Sequence, residues 1–372
     1  MNFVIITQVP HILEQNHYFA YAPYVREMNI WTKQCTNVII VAPESRSRKT
    51  PIDLKYEDQN IEFVSVREFD VLNLKGICNT VFKVPGICWS IYAAMRKADH
   101  IHLRCPGNMG LLGCIIQILF PNTIKTAKYA GNWDPKSSQP FSYKLQKWIL
   151  SNTFITRNMQ VLVYGQWAGS TKNVKPFFTA TYYEVDKSPI IPKDLKQQIR
   201  FIFVGALVSG KNPMYAIQLI EALNKVGHNV VLDLYGEGAE RNELERYIDQ
   251  KKLEDIILLK GNQTLEMVKI AYKQSHFFIL PSESEGWSKA VAEGMFWGCV
   301  PVATKVSCVP YMLDYGNRGI VLEMNLEKDV SQIEVLLQNA TDYKSRSEKA
   351  SDWSRKYTMD VFEEEIKKLV TR

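Results

Sequence analysis

A chain of 372 residues, 46% hydrophobic and 23% charged, is long enough to bury two cores and has the make-up of an ordinary globular protein. Its net charge of +6 is unevenly shared: residues 1–198 hold 23 Lys/Arg against 14 Asp/Glu, and residues 199–372 hold 22 against 25. A first half at +9 beside a second at −3 points to an anionic partner, a membrane surface or an acidic acceptor. The lack of a basic motif interleaved with aromatics argues against nucleic acid.

The opening MNFVIITQVPH has no basic leader and only a short apolar run, so it reads as a first strand rather than a signal peptide. Further strands are expected at Val38–Val41, Ile61–Val66, His100–Leu103, Ile124–Tyr129 and Gln160–Val163, with helices at Phe19–Thr32, Phe82–Lys97, Asn108–Phe120 and Phe141–Asn152. Strands alternating with helices predict a parallel α/β sheet. The most lipid-like run, Leu111–Phe120, is too short to span a bilayer, which places the protein in the cytoplasm or peripherally on the inner face of a membrane. A dinucleotide site needs G-x-G-x-x-G after the first strand, and TQVPHILEQ contains no glycine, so an NAD(P)-dependent oxidoreductase is disfavoured. Seven cysteines without C-x-x-C spacing indicate reduced, buried thiols rather than disulfides or a zinc site.

Val174–Lys196 is the candidate linker region, with a strand expected over Phe177–Val185 and two prolines in Lys187–Asp194. From Arg200 a second strand–helix series begins and closes on three amphipathic segments. The last, Met359–Leu369, aligns Val361, Phe362, Ile366 and Leu369 on one stripe. The expected division is a first domain over 1–186, a linker over 187–198, a second domain over 199–356 and a terminal helix over 357–372.

The chemistry concentrates in Pro281–Gly298, PSESEGWSKAVAEGMFWG. The run His276–Leu280 reads as a buried strand, Ser282, Ser284 and Gly286 break it, and Trp287–Phe296 has helical spacing. Such a helix presents free amides around Trp287, Ser288 and Lys289 and the positive end of its dipole, an attractive place for phosphate. Glu285 in the turn is suited to gripping sugar hydroxyls, and Glu293 lies two turns along, within reach of another part of one extended ligand. By themselves two such carboxylates read more readily as a capping acid and a solvated helix acid, and only their context lifts the functional reading.

Three more stretches set the context: FIFVGALVSGKN (Phe201–Asn212), YGEGAERNELE (Tyr235–Glu245) and Leu259–Asn262. With the Glu-x7-Glu segment, these motifs occur in the order found in the retaining GT-B glycosyltransferases of family four (group 1), the bacterial surface-polysaccharide type, which this sequence resembles over about 120 residues. The resemblance implies two Rossmann-like domains facing a cleft, with a C-terminal helix crossing back to the first. It also implies transfer of a sugar from a nucleotide-diphosphate donor to a glycan or lipid-linked acceptor, with retention at the anomeric carbon. Glu285 and Lys211 would be the catalytic pair. Gly205, Lys211, Gly261, Asn262, Glu285, Gly286, Trp287, Ser288, Lys289 and Glu293 would form the donor site, with Glu293 on the ribose. His102, Arg104 and Asn132 would lie on the acceptor or sugar side.

A lysine beside a helix start is misplaced on dipole grounds, which suits Lys211 to neutralise a departing pyrophosphate. No Asp-x-Asp occurs, so neither a metal nor another cofactor is expected. Gly236-Glu237-Gly238 reads either as a tight turn with capping acids or as a loop flanking the nucleotide. The sequence departs from the resembled pattern at Ala206, where an arginine is usual and for which Arg104 or Lys289 would compensate. It departs also at Asn132, where a histidine is usual, and at Pro10-His11 in place of a glycine pair. A non-catalytic nucleotide-sugar-binding protein is the alternative that these motifs leave open.

Overall fold

The computed structural model describes residues 1–50, 53–57, 60–67, 74–191 and 193–371, with side chains described from residue 83 onward in the helix that begins at Leu74. The side chains of Cys78 and Phe82, and Pro192 of the expected linker, lie outside the described residues. Two compact units emerge: Met1–Phe177 with Phe362–Arg372, and Phe178–Val361.

The first unit runs β1 (Asn2–Ile6), β2 (His11–Glu14), β3 (His17–Tyr21), α1 (Ala22–Thr32), β4 (Asn37–Ser45), β5 (Asp53–Lys55), β6 (Ile61–Val66), α2 (Leu74–Met95), β7 (His100–Cys105), α3 (Asn108–Ile116), β8 (Ile124–Tyr129), α4 (Phe141–Ser151), β9 (Met159–Tyr164) and β10 (Val174–Phe177). Its main sheet is parallel in the order β10-β9-β8-β7-β1-β4, with β6 also on β4. Side chains alternate between the two faces. Val4, Ile6, Ile101, Leu103, Ala127 and Val161 pack with Ile91, Met109 and Ile149 from α2, α3 and α4. The opposite face carries Phe3, His100 and His102: His100 packs on Phe3, and Phe3 and His102 meet Trp31 of α1, with the Trp31 and His102 ring centroids 4.2 Å apart.

The expected helix Phe19–Thr32 begins only at Ala22, because Phe19–Tyr21 pairs antiparallel with β2 and β5. Gln15 and Asn16, both at positive φ, make the two-residue turn of that hairpin. Its sequence lacks the usual glycine signal, and Pro23 in the first turn of α1 then fixes the true helix start. The strand expected over Phe177–Val185 is also displaced: β10 ends at Phe177. Glu184–Asp186 is a 3-10 turn in which the Tyr183 amide donates to Asp186.

The second unit runs β11 (Ile199–Val204), α5 (Pro213–Lys225), β12 (Val230–Tyr235), α6 (Arg241–Lys251), β13 (Ile257–Gly261), α7 (Leu265–Gln274), β14 (Phe277–Leu280), α8 (Lys289–Phe296), β15 (Val300–Thr304), α9 (Val309–Met312), β16 (Ile320–Leu322), α10 (Leu326–Leu337) and α11 (Ala340–Ser354). The helix α12 (Met359–Val370) follows, and from Phe362 its residues count with the first unit. Six parallel strands lie in the order β13-β12-β11-β14-β15-β16. Residues 187–198 are held in this unit: Arg355 donates to the Ser188 carbonyl at 2.7 Å, and Ile190 sits against Gly298. Both units are thus parallel-sheet, Rossmann-like α/β layers.

At the carboxyl ends of β11 and β12 two loops touch backbone to backbone. Leu207 N–H donates to Glu237 O and Glu240 N–H to Leu207 O, each at 3.0 Å. Gly236 has φ +142°, and a Cβ there would lie 1.9 Å from the Gly205 carbonyl oxygen. The Gly236–Gly238 segment is therefore a tight packing turn. Gly236→Ala should unfold at markedly lower temperature, losing more than about 1 kcal/mol. Gly210→Ala, with nothing within 4 Å of a new Cβ, should be close to neutral. Equal melting temperatures for the two variants would contradict the backbone contact.

The buried imidazoles set an acid limit. His100 Nε2 and His102 Nδ1 share Thr126 Oγ1 at 2.9 and 2.8 Å, while His11 lies between Val9 O and Tyr56 OH at 2.8 Å each. Burial lowers His11 and His100 from 6.5 to about 4. Unfolded imidazoles take up protons near pH 6.5 and these two only near 4, so the unfolded state binds more protons in between. Stability is complete above 6.5 and should fall as pH drops toward 4, by on the order of 3 kcal/mol for each such group. Urea unfolding across that window tests this, and a flat midpoint would refute it.

Candidate functional site

The second unit's strand order reverses at β11. The chain leaves β11 through α5 toward β12 on one side, and leaves β14 through α8 toward β15 on the other. Ligands of open α/β sheets bind outside the carboxyl ends of such a pair. Lys211 and Glu285 come from the loops that follow these two strands. The Lys211 loop closes as a 3-10 turn over Ser209–Lys211, and Asn212 at φ +51° then turns the chain into Pro213 and α5. Glu283 N–H donates to Gly210 O at 3.0 Å and ties the loops together.

Lys211 Nζ and Glu285 Oε1 are 2.5 Å apart, with the Glu285 side chain 7% exposed and that of Lys211 30%. Such a charge-assisted contact, half open to water, leaves the ammonium further donors for an anion. The two residues singled out as catalytic from sequence are therefore in direct contact, although 74 positions separate them.

The helix after Glu285 starts later than expected. Ser288 is extended and caps α8 from outside, so the amides without helical partners are those of Lys289, Ala290 and Val291. Trp287 is buried in a ring cluster, 5.8 Å from Trp353 and 5.3 Å from Tyr357, and anchors the loop. Gly286 O accepts from Cys308 Sγ at 3.0 Å, and Ser282 O from Thr304 Oγ1 at 2.5 Å. The hydroxyls of Ser282 and Ser288 are buried and have no hydrogen-bond partner. Unpaired buried hydroxyls are uncommon, and two in one loop leave hydrogen-bonding capacity there for a ligand or water. The sequence singles out Ser288 for the donor site and Ser282 for the turn, but not the lack of a partner, which is set by tertiary packing.

Glu293 lies on α8 two turns from the loop. Its Oε1 accepts from Thr181 Oγ1 at 2.6 Å and its Oε2 from Tyr272 OH at 3.2 Å. Burial raises its pKa, against the pull of Thr181, Lys289 and Tyr272 toward the ionised form. Gly205 lies under the β12 loop, with its N–H on Tyr235 O, and Gly261, at φ +66°, accepts from Gly236 N–H. Asn262 is exposed beside it. Gly205, Gly261 and Asn262 thus lie at the carboxyl ends of β11 and β13, as the Lys211 and Glu285 loops do at those of β11 and β14.

The residues expected on the acceptor side belong to the first unit and are held by its own partners. His102 is fully buried on Thr126 and Trp31, and burial together with Arg104 lowers its pKa, so it is neutral. Arg104 Nη1 meets Glu27 Oε1 at 2.5 Å, and Lys128 Nζ reaches the same oxygen at 3.0 Å. Burial opposes the charge of Arg104, but Glu27 and its phenolic neighbours outweigh it and raise its pKa. Its charge is therefore committed to Glu27. Asn132 organises a turn, accepting from Asp134 N–H at 2.8 Å, with its carbonyl taken by Gln139. At Pro10-His11 the chain buries His11 against Tyr56 and Phe63. Sequence reading missed Glu27 and Lys128, since pairing across α1 and β8 leaves no local pattern.

Residues 186–353 match the family model described as glycosyl transferases group 1. An uncharacterized glycosyltransferase of Methanocaldococcus jannaschii is 28% identical over 160 residues, 43% of this chain and 44% of that one. The poly(glycerol-phosphate) alpha-glucosyltransferase of Bacillus subtilis is 26% identical over 196 residues, 49% of this chain and 27% of that one. The chain thus aligns with less than half the length of these two relatives. In fold, the Anabaena Alr3699/HepE structure in complex with UDP superposes with a TM-score of 0.71 at 12% identity, covering 100% of this chain and 99% of that one. The stretch that holds Lys211, Glu285 and Glu293 is accordingly similar to the glycosyl transferases group 1 domain, in a chain whose two Rossmann-like parallel sheets have the GT-B fold.

Proposed function

We propose that this protein is a retaining family-four glycosyltransferase that moves a sugar from a nucleotide-diphosphate donor to a glycan or lipid-linked acceptor, in bacterial surface-polysaccharide synthesis. The observation that supports this most is the Lys211–Glu285 pair at the strand reversal of a group 1 domain, beside two unpaired serine hydroxyls. The UDP named with the Anabaena structure favours uridine diphosphate as the leaving group.

In this reading the acceptor oxygen bonds to the anomeric carbon on the face from which the diphosphate departs. The carbon–oxygen bond to phosphate breaks, and the acceptor's proton passes to the departing phosphate oxygen. Lys211 keeps Glu285 and turns a second N–H to the diphosphate, stabilising the charge that grows there. The amides at the start of α8 and the Ser288 hydroxyl bind the same phosphates. Glu285 accepts the sugar hydroxyls and Glu293 the ribose, which takes over the place of the Thr181 or Tyr272 hydroxyl. Lys211 supplies the positive charge, so the reaction needs neither metal nor other cofactor. The lipid-linked form of the acceptor places the protein peripherally at an anionic membrane.

Glu285→Ala and Lys211→Ala should each lower kcat on the order of a hundredfold, because their contacts strengthen in the transition state. Glu293→Ala should chiefly raise KM for the donor, since ribose contacts are the same before and during reaction. The measurement is release of UDP from a panel of UDP-sugars with and without glycan acceptors. Near wild-type turnover of Glu285→Ala would sink the site. Donor at a hundred times its Kd should add about 2.7 kcal/mol of stability. Stabilisation without turnover would mark a binding protein instead.

Chelation supplies a further check. Turnover should survive EDTA, and its loss with recovery on adding magnesium would overturn the metal-free account.

A further inference from the structure

The first unit carries a surface pattern that the sugar-transfer site does not use. From Val71 to Phe177 the chain contains 13 Lys/Arg and only two acids, Asp99 and Asp134. Lys125 and Lys128 are buried and the Arg104 side chain is 13% exposed, which leaves most of this excess for the outside. Among the described residues the exposed Trp and Phe side chains are Trp89, Phe141, Trp148 and Phe154, all from the same part of the chain.

The fold gathers them. The crossovers from β6 through β7 and β8 to β9 step one way along the sheet, so α2, α3 and α4 form one layer on one face. Trp89, Trp148 and Phe154 are 60–74% exposed on α2, on α4 and just after it, and Leu119, 66% exposed, ends the 3-10 turn after α3. A helical layer facing only water places polar residues at such positions. Tryptophan, apolar in body and polar at one edge, suits the boundary between headgroup and acyl chain.

A groove of about 790 Å³ opens at the amino ends of β8, β9 and β10. Lys125, Arg157, Lys172 and Lys175 line it, together with Ile124, and no acidic residue does. Arg157 also stacks on Phe154, 5.1 Å from its ring centre, so the cationic groove and the aromatic ridge adjoin. Lys125 is buried and already donates to Phe120 O at 2.5 Å, so Arg157, Lys172 and Lys175 are the bases that face outward.

We propose that this α2–α4 face docks on an anionic phospholipid bilayer, with Leu119, Trp148 and Phe154 entering the interface and the Arg157–Lys172–Lys175 groove seating headgroup phosphates. The proposal rests on the sugar-transfer reading only for what the membrane presents, the lipid-linked acceptor. A second copy of the chain is a poor occupant, because two such basic faces repel when set against each other.

The experiment is co-sedimentation of the full chain with vesicles of phosphatidylcholine alone, and of equal parts phosphatidylcholine and phosphatidylglycerol. Anionic vesicles should bind it and neutral ones much less, with binding falling steeply as salt rises. Lys172→Glu with Lys175→Glu, and separately Trp148→Ser with Phe154→Ser, should each weaken binding roughly tenfold or more. Lys344→Glu, on the exposed face of α11, should not. All changes are at exposed positions, and unaltered melting temperatures confirm folding.

Absence of binding to anionic vesicles, or equal binding to both kinds, would overturn the docking. Binding unaffected by both double variants would overturn this face. Self-association lost in the Trp148/Phe154 variant, without vesicle binding, would assign the ridge to a second copy and overturn the lipid proposal. UDP-induced stabilisation, followed in the same samples, reports on the sugar-transfer site separately, so the two readings fail independently.

Discussion

Two neighbouring parallel strands whose chains depart to opposite sides cannot cover their own carboxyl ends, and the candidate site depends on the gap that this leaves. β11 and β14 are that pair. Every other part of the site follows from keeping their two exit loops open yet fixed. The β11 loop is braced from behind by the β12 loop at a separation that only glycine permits. The β14 loop is braced by Thr304, by Cys308 and by the Trp287 ring cluster. With both backbones held, Lys211 and Glu285 meet without further help, and the low exposure of Glu285 strengthens the contact relative to a surface pair.

The first unit shows a different use of charge. Inside, one carboxylate, Glu27, answers two cations, Arg104 and Lys128, and Lys128 lies also over the Phe362, Phe177 and Tyr164 rings. A buried cation is tolerated when an anion and aromatic faces replace its water. The neighbouring histidines stay neutral and pass hydrogen bonds to Thr126. A basic sequence therefore divides into bases bound into the interior and bases free to give the outer face its sign, a division that composition alone does not reveal.

How far the sequence could be read depended on the range of the interactions involved. Strands such as Ile61–Val66 and Ile124–Tyr129 were legible to the residue, because β-branched and aromatic residues recur in each between polar or glycine-bearing turns. The β2–β3 hairpin was not, since Gln15-Asn16 reaches positive φ without a glycine to announce it. At the site, the motif order brought out Lys211 and Glu285, and their contact follows from strand adjacency that a motif cannot state. The start of α8 was misplaced by two residues, because Trp287 has helical spacing in sequence but spends its side chain on Trp353 and Tyr357. The partners of Glu293 come from Thr181 and Tyr272, one far back in the chain and one on another helix, where no periodicity connects them.

The first unit is closed by residues made only after the whole of the second. Phe362 packs on Phe177 and over Lys128, and Glu363 reaches Lys33 at 2.9 Å. During synthesis the segment Met1–Phe177 therefore leaves the ribosome long before the side chains that finish its interior. It must wait through the making of the second unit with Lys128 and Phe177 incompletely covered, a state in which apolar surface is open to wrong partners. The second unit, contiguous from Phe178 to Val361, has no such delay. The order of birth and the order of completion are thus reversed in this chain: the half that begins first is finished second.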